Sequence, residues 1–168
     1  MNELELLAER VGKLLKERHW TVSTAESCTG GLLSGTLTEV PGISEVYEGS
    51  VVAYQNRVKE ELLKVTHEIL VHHGAVSTEC AAAMAEGVRK LLKTDFAVST
   101  TGIAGPGGGT PEKPVGTVCF GIASSGKVRS VRKHFEGDRE AVRIQSVRTA
   151  LELLMEELES VRKKKSNG

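Results

Sequence analysis

The sequence contains few cysteines and few aromatic residues, and it has no excess of charge of either sign. The three cysteines among 168 residues are far apart and include no Cys-x-x-Cys pair, so they indicate neither a disulfide framework nor a zinc site. Lysine and arginine together number 22, as do aspartate and glutamate, and this balance argues against a dedicated nucleic-acid-binding protein. No apolar run approaches the about 20 residues that span a bilayer, and no signal peptide is recognisable. We therefore expect a cytoplasmic protein that binds neither nucleic acid nor membrane.

What the sequence does contain is an alternation of helical and β-type patterns. Apolar residues at helical spacing predict helices over Glu3–Glu17, Leu32–Val40, Val58–Leu63, Glu68–His73, Ala81–Leu92 and Ile144–Val161, with Ser77 and Asp138 as N-caps of the last two. Runs rich in β-formers predict strands over Trp20–Ala25, Val46–Tyr54, Phe96–Thr101, Val115–Ser124 and Val128–Phe135, the last two forming a hairpin. This order predicts one α/β domain over residues 1–168, a three-layer α/β/α sandwich with a mixed β-sheet. Residues 163–168 are expected to form a frayed, charged tail.

The stretch Thr24–Gly31, with the sequence Thr-Ala-Glu-Ser-Cys-Thr-Gly-Gly, joins a predicted strand to a predicted helix. Ser27, Cys28 and Thr29 bring three hydroxyl or thiol groups to one turn, where small neighbours let a ligand approach the backbone. A helix N-terminus presents unpaired N–H groups to an anion or a developing oxyanion. The residues alone leave a second interpretation open, in which Ser27 only caps the helix.

Two further strand ends carry candidate site residues, because ligands of open α/β sheets bind where strands end. Tyr54 and Lys59 flank one of them, although an ordinary surface lysine is the commoner case. Thr101–Gly109 is the densest glycine cluster, and its bare N–H groups suit either a phosphate nest or a flexible connection. Arg139 and Arg143 lie one helical turn apart and could reach a phosphate, unless they are solvated or paired with neighbouring glutamates.

Histidines and cysteines provide weaker candidates. His67, His72 and His73 hint at a metal, but no carboxylate or cysteine completes a ligand spacing. Cys28 would have a reactive position at a helix N-terminus, yet no histidine is near in sequence to pair with it, and a buried structural cysteine is more common.

Taken together, these segments resemble the C-terminal domain family of CinA, the stand-alone nicotinamide-nucleotide amidases. The resemblance covers nearly the whole chain in the family's order, and its blocks are Ala25–Gly31, Pro41–Ser44, Tyr54–Lys59, Gly74–Ser77, Thr101–Gly108 and Pro114–Val118. The larger members carry an additional N-terminal domain of the molybdopterin-binding type, whose activities the resemblance does not transfer. Gln55-Asn56-Arg57 stands where the family often has Ser-Asn-Glu.

The resemblance implies hydrolysis of the carboxamide of nicotinamide mononucleotide (NMN) to nicotinate mononucleotide and ammonia, without cofactor or metal. It places the family's serine at Ser27, its tyrosine at Tyr54 and its lysine at Lys59. We expect Ser27 to be the nucleophile, Lys59 the base if it is neutral, and Tyr54 a proton relay between them. The expected substrate-binding residues are Glu26, Cys28, Thr29, Gly30, Gly31, Thr101, Gly102, Gly105, Gly107, Gly108, Arg139 and Arg143.

Two other functions are compatible with the same residues. The same loops would suit a non-catalytic nucleotide-binding module of the competence and DNA-damage type, and the histidines would suit a metal-dependent hydrolase, which ranks last. The resemblance also suggests a homodimer or larger homo-oligomer.

Overall fold

The computed structural model describes the backbone of residues 2–167 and the side chains of residues 2–161. The elements in chain order are α1 (Glu3–Arg18), β1 (Val22–Glu26), α2 (Leu32–Thr38), β2 (Tyr47–Val52), α3 (Asn56–Leu63), α4 (His67–His72), α5 (Thr78–Leu92), β3 (Phe96–Gly102), β4 (Thr117–Ser124), β5 (Lys127–His134) and α6 (Arg139–Asn167). The expected frayed tail falls on residues whose side chains or backbone lie outside this description. Among the described helices, none is both long and apolar enough to cross a membrane.

The strands form one mixed sheet in the order β2-β1-β3-β4-β5. β1 is parallel to both of its neighbours, β2 and β3, whereas β4 and β5 add an antiparallel hairpin next to β3. Helices cover both faces, which confirms the predicted three-layer α/β/α architecture with a mixed sheet.

Local sequence signals account for the helix ends. Ser77 accepts a hydrogen bond from the Cys80 N–H at 3.0 Å at the start of α5, and Asp138 accepts one from the Ala141 N–H at 2.9 Å at the start of α6. Both predicted N-caps are therefore present. A short 3₁₀ turn over Ile43–Glu45, which the periodicity did not predict, follows the Pro41-Gly42 break.

The two faces of the sheet are packed differently. One face carries large strand side chains such as Phe96, Phe120 and Ile122, and α1, α2 and α6 pack against it. The other face carries small strand residues, and α5 approaches them closely. A Cβ placed on Gly121 would lie 2.2 Å from the Ala81 carbonyl oxygen of α5, so only glycine fits there.

The parallel pairing determines where a site can form. Because β1, β2 and β3 run in the same direction, the segments that follow them meet at one edge of the sheet. Ser27 follows β1, Ala53 and Tyr54 follow β2, and Gly102 ends β3. The three candidate loops of the sequence are thus neighbours in space.

Candidate active site

The centre of the candidate site is a direct contact between Ser27 and Lys59. Ser27 is buried, and its backbone N–H donates to the Thr100 carbonyl of β3 at 3.0 Å. Lys59 lies in α3, and its Nζ donates to Ser27 Oγ at 2.9 Å. The structure therefore brings together the residues that the resemblance identified as nucleophile and base.

Lys59 is held in an unusual environment for a lysine. It is only 1% exposed, and Nζ also donates to the carbonyl oxygens of Ala53 at 2.8 Å and Tyr54 at 3.0 Å. Within the described residues no carboxylate pairs with it. Burial without a counter-ion disfavours the ammonium form, and it lowers the pKa of Lys59 from its ordinary value. The site thus favours an amine that can accept a proton.

Tyr54 does not lie between Ser27 and Lys59, so the expected relay requires correction. Its side chain is 57% exposed at the rim, where its hydroxyl accepts a hydrogen bond from Arg139 Nη2 at 3.3 Å. The part of Tyr54 that reaches Lys59 is its backbone carbonyl. The direct Ser27–Lys59 contact leaves no step for a relay between them.

Glu26 also differs from expectation, because its side chain faces away from the site. It is fully buried, and its carboxylate accepts hydrogen bonds from the N–H groups of Gly31 at 3.1 Å, Leu33 at 2.9 Å and Ser34 at 2.9 Å. These groups belong to the first turn of α2. The helix N-terminus therefore already holds an anion from the chain itself and is not available to a substrate.

The same bonds change the role of the other turn residues. Thr29 is buried, and its Oγ1 donates to Glu26 at 2.6 Å, so its side chain does not line the site. The Gly30 N–H donates to the Ser27 carbonyl at 3.1 Å. Within the described residues, the N–H groups of Cys28 and Thr29 donate to no other residue. Of Cys28, Thr29, Gly30 and Gly31, which were expected to bind substrate, only Cys28 and Thr29 therefore keep a backbone N–H that no other described residue uses.

The thiol of Cys28 is not a competing nucleophile. It is 6% exposed, and burial, with a smaller contribution from the charge of Glu26, raises the pKa of Cys28 to about 12. Since the thiolate is the reactive form, a thiol with this pKa is inert at neutral pH. Cys28 is a structural residue next to Ser27.

The two arginines of α6 have separate roles. Arg139 lines the site, and its Nη1 donates to the Gly105 carbonyl at 2.8 Å. Arg143 donates instead to the carbonyls of Cys28 at 3.2 Å and Thr29 at 2.9 Å. Its guanidinium therefore fixes the back of the turn that carries the candidate nucleophile, residues 26–31, which is the nucleophile turn. Of the two arginines, only Arg139 is placed to meet a ligand.

The glycine cluster contributes only its first residues to the site. Thr101, Gly102 and Ala104 line the cavity, whereas Gly107 and Gly108 are exposed and do not. Gly105 is buried and contacts the site through Arg139. Only the beginning of the loop, residues 101–105, is therefore close enough to the site to contact a phosphate.

A cavity of about 220 Å³ lies over the Ser27–Lys59 contact. Sequence reasoning missed four of its lining residues, Asn56, Ala75, Val76 and Ala104. All four lie in blocks that carry the resemblance, which was the available signal. The position of Ala75 and Val76 follows from the fold, because Thr101 Oγ1 donates to the Ala75 carbonyl at 2.8 Å and ties that segment to the end of β3.

The histidines lie elsewhere. His67 Nδ1 is 3.0 Å from a carboxylate oxygen of Glu60, and His73 Nδ1 is 3.3 Å from one of Glu79, both on the surface of the helical layer. In the part of the chain that the structure describes, no three histidine, cysteine or acidic residues are grouped as a metal site would require.

The chain is similar in sequence and in fold to known proteins. A family model described as the CinA C-terminal domain matches residues 4–158, which is most of the chain and includes every residue of the site. The chain belongs to the CinA family. It is 50% identical over 152 residues to a putative competence-damage inducible protein of Clostridium novyi and 51% identical over 150 residues to a CinA-like protein of Thermotoga maritima.

Those matches cover 90% and 89% of this chain but only 37% and 36% of the two relatives. The chain therefore spans a little over a third of the length of the curated relatives it matches. Solved CinA structures match over nearly their whole length. A superfamily protein of Klebsiella pneumoniae has a TM-score of 0.91 at 38% identity, with 95% of this chain and 99% of that chain covered.

The competence/damage inducible protein CihA of Agrobacterium tumefaciens has a TM-score of 0.90 at 42% identity, with 95% and 97% covered. These structures support the α/β fold of the family for this chain. The names of the relatives refer to competence and damage and assign no reaction.

Proposed function

We propose that this CinA-family chain is an amidase that hydrolyses NMN to nicotinate mononucleotide and ammonia, with Ser27 as nucleophile and Lys59 as base. The observation that carries the proposal is the 2.9 Å contact between Ser27 Oγ and the buried Nζ of Lys59. A serine hydroxyl needs an adjacent base, and a desolvated lysine can serve as one.

The three partners of Lys59 support this role. The carbonyls of Ala53 and Tyr54 can only accept hydrogen bonds, so they take the two N–H groups of a neutral amine. The lone pair of Nζ then faces Ser27 Oγ and is positioned to accept its proton. The same three contacts satisfy an ammonium group once the proton has moved.

The reaction then proceeds in two stages. Ser27 Oγ attacks the amide carbon while its proton passes to Lys59, and the available N–H groups of Cys28 and Thr29 stabilise the oxyanion. Lys59 returns the proton to the leaving nitrogen as ammonia departs, which leaves an acyl-enzyme. A water molecule next attacks the ester and gives a proton to Lys59. Lys59 then returns that proton to Ser27 Oγ as the C–O bond to the serine breaks, which regenerates Ser27 and neutral Lys59, and the released acid ionises to the carboxylate.

The size and charge of the cavity support a substrate whose reacting group enters the cavity and whose phosphate stays at the rim. At about 220 Å³ the cavity is smaller than the roughly 300–1,000 Å³ of pockets that enclose drug-sized ligands. A mononucleotide would leave its phosphate near the rim, where Arg139 is placed. Ala104 and Gly105 follow β3 there, and within the described residues their N–H groups have no partner.

Ammonia release from NMN by the purified protein tests the proposal, with chelator present and with Ser27→Ala and Ser125→Ala beside it. We expect Ser27→Ala to lower kcat by at least about 10⁴-fold, because the nucleophile is lost, and to retain nucleotide binding. Ser125 is exposed in the β4–β5 turn, so Ser125→Ala should match the wild type.

Full turnover by Ser27→Ala would contradict the assignment of the nucleophile, and loss of turnover with chelator would favour a metal-dependent hydrolase. If the wild type releases no ammonia but NMN raises its melting temperature, the chain is a nucleotide-binding module instead.

A further inference from the structure

The nucleophile turn contains a buried carboxylate that the proposed mechanism does not use. Glu26 precedes Ser27 directly, and it is 0% exposed. It does not approach the reacting atoms, yet it accepts more hydrogen bonds than a capping side chain usually does. Its contacts explain what holds the turn in place.

The two carboxylate oxygens accept hydrogen bonds from the turn and from the start of α2. Oε1 accepts from Thr29 Oγ1 at 2.6 Å and from the N–H groups of Gly31 and Leu33. Oε2 accepts from the Ser34 N–H at 2.9 Å, and Ser50 Oγ of β2 lies 3.4 Å away.

Glu26 therefore joins the end of β1, the turn and the first turn of α2 through one group. α2 has only seven residues, and its N-cap, Gly31, provides no side chain. A helix this short is marginal without tertiary contacts, so the carboxylate replaces the missing cap.

Thr29 extends this arrangement to the neighbouring strand. Its Oγ1 lies 2.8 Å from Thr100 Oγ1 as well as 2.6 Å from Glu26 Oε1. The Thr100 carbonyl accepts the Ser27 N–H. The bonds thus run from Glu26 through Thr29 to the strand that fixes the backbone of Ser27.

We propose that Glu26 is a positioning residue of the nucleophile turn, which keeps Ser27 Oγ within reach of Lys59 and keeps the N–H groups of Cys28 and Thr29 directed to the substrate. This proposal rests on the proposed function for its effect on turnover. Its effect on the turn itself can be measured without any substrate.

The cysteines provide the substrate-free measurement. Cys28 lies inside the turn, whereas Cys80 lies in α5 and Cys119 in β4, and all three are buried. Alkylation by iodoacetamide, followed by mass spectrometry of each peptide, reports opening of the turn at Cys28 and global opening at the other two.

The test variant is Glu26→Gln, which keeps the side-chain shape but places an NH₂ group against backbone N–H donors. We expect alkylation of Cys28 to rise at least about tenfold while Cys80 and Cys119 keep their wild-type rates. Thr29→Val, which removes one hydroxyl from the same arrangement, should raise the rate at Cys28 less. Leu37→Ala is the matched control, since it opens a cavity under α2 without touching the carboxylate, and it should leave Cys28 protected.

Turnover separates positioning from simple destabilisation. If NMN is the substrate, Glu26→Gln should lower kcat by at least about tenfold with KM within twofold of the wild type, because a displaced nucleophile affects the chemical step. Leu37→Ala should keep the wild-type kcat. An unchanged Cys28 rate in Glu26→Gln overturns the proposal, and so does an equal rise at all three cysteines. A wild type without activity contradicts the proposed function alone, because the alkylation result stands by itself.

Discussion

The two sides of the sheet differ in the size of their buried side chains, and the candidate site lies on the side with the smaller ones. On the side of α1, α2 and α6, a large hydrophobic cluster contains aromatic and branched residues from the sheet and from these three helices. On the side of α3, α4 and α5, the cluster is small and consists mainly of alanine, cysteine, valine and single large residues such as Leu63 and Met84.

The small side is where a lysine can be buried. Short strand residues let α5 approach the sheet, and a Cβ on Gly87 of α5 would lie 1.9 Å from the Leu63 carbonyl at the end of α3. α3 is thereby held against α5, and its Lys59 reaches inward to Ser27. Both sides contribute a buried core, and the close packing of the small side in addition positions and desolvates Lys59, the proposed base.

Replacing Lys59, the proposed base on the small side, should have the largest effect on activity. Arginine stays protonated, so Lys59→Arg cannot accept the proton of Ser27. We expect kcat to fall by about 10²- to 10⁴-fold, the usual contribution of a general base. Steady-state ammonia release measures this.

Lys90→Met is the matched control, because Lys90 lies on the same side but its side chain is 71% exposed. If Lys59→Arg retained the wild-type rate, neutral Lys59 could not be the base.

Truncating one core residue on each side of the sheet should separate the contribution to stability from the contribution to activity. Leu37 of the large side and Leu63 of the small side are both essentially fully buried, and replacing either with alanine should cost about 2–5 kcal/mol of unfolding free energy. Only Leu63→Ala should also lower kcat, by about 10- to 100-fold, because a shift of α3 by about an ångström displaces Lys59 from Ser27.

Urea unfolding gives the stabilities, and kcat is compared well below both melting temperatures. Equal losses of kcat in the two variants would mean that activity follows global stability and not the packing of one side.

Much of this arrangement was accessible from the sequence. The alternation of patterns predicted the layers, and the position of candidate residues after strands predicted a common edge, because parallel strands end together. The Ser27–Lys59 pairing came from the resemblance, since lysine spacing alone indicated a solvated side chain.

The directions of side chains at the turn were not accessible. The sequence Ala25–Gly31 does not indicate that Glu26 points toward α2 while Ser27 points into the cavity. These directions depend on the pairing of β1 with β3. The same limit applies to Arg139 and Arg143. Their spacing predicted one face, but the two guanidinium groups contact loops that are far apart in the sequence, at Gly105 and at Cys28.

The smallest expected effect is on the pH dependence of stability, to which Lys59 and the buried thiols contribute with opposite sign. Burial lowers the pKa of Lys59 in the folded protein, whereas the unfolded chain titrates near the ordinary value of 10.5. Between these two values the unfolded state binds the proton and the folded state does not. The free energy of unfolding should therefore rise with pH in this window, by at most about 1.4 kcal/mol per pH unit.

Other groups oppose this trend, so a difference between two proteins is the proper measurement. Burial raises the pKa of Cys28 to about 12 and of Cys80 to about 11. Those thiols stay protonated in the folded state at pH values where the unfolded chain has lost the protons, and they lower stability as pH rises above their ordinary values. Lys59→Met keeps them and removes only the lysine. We expect the stability of the wild type minus that of Lys59→Met to increase with pH, as measured by urea unfolding from about pH 6 to pH 10. A difference that does not change with pH would mean that the packing of the small side does not desolvate Lys59.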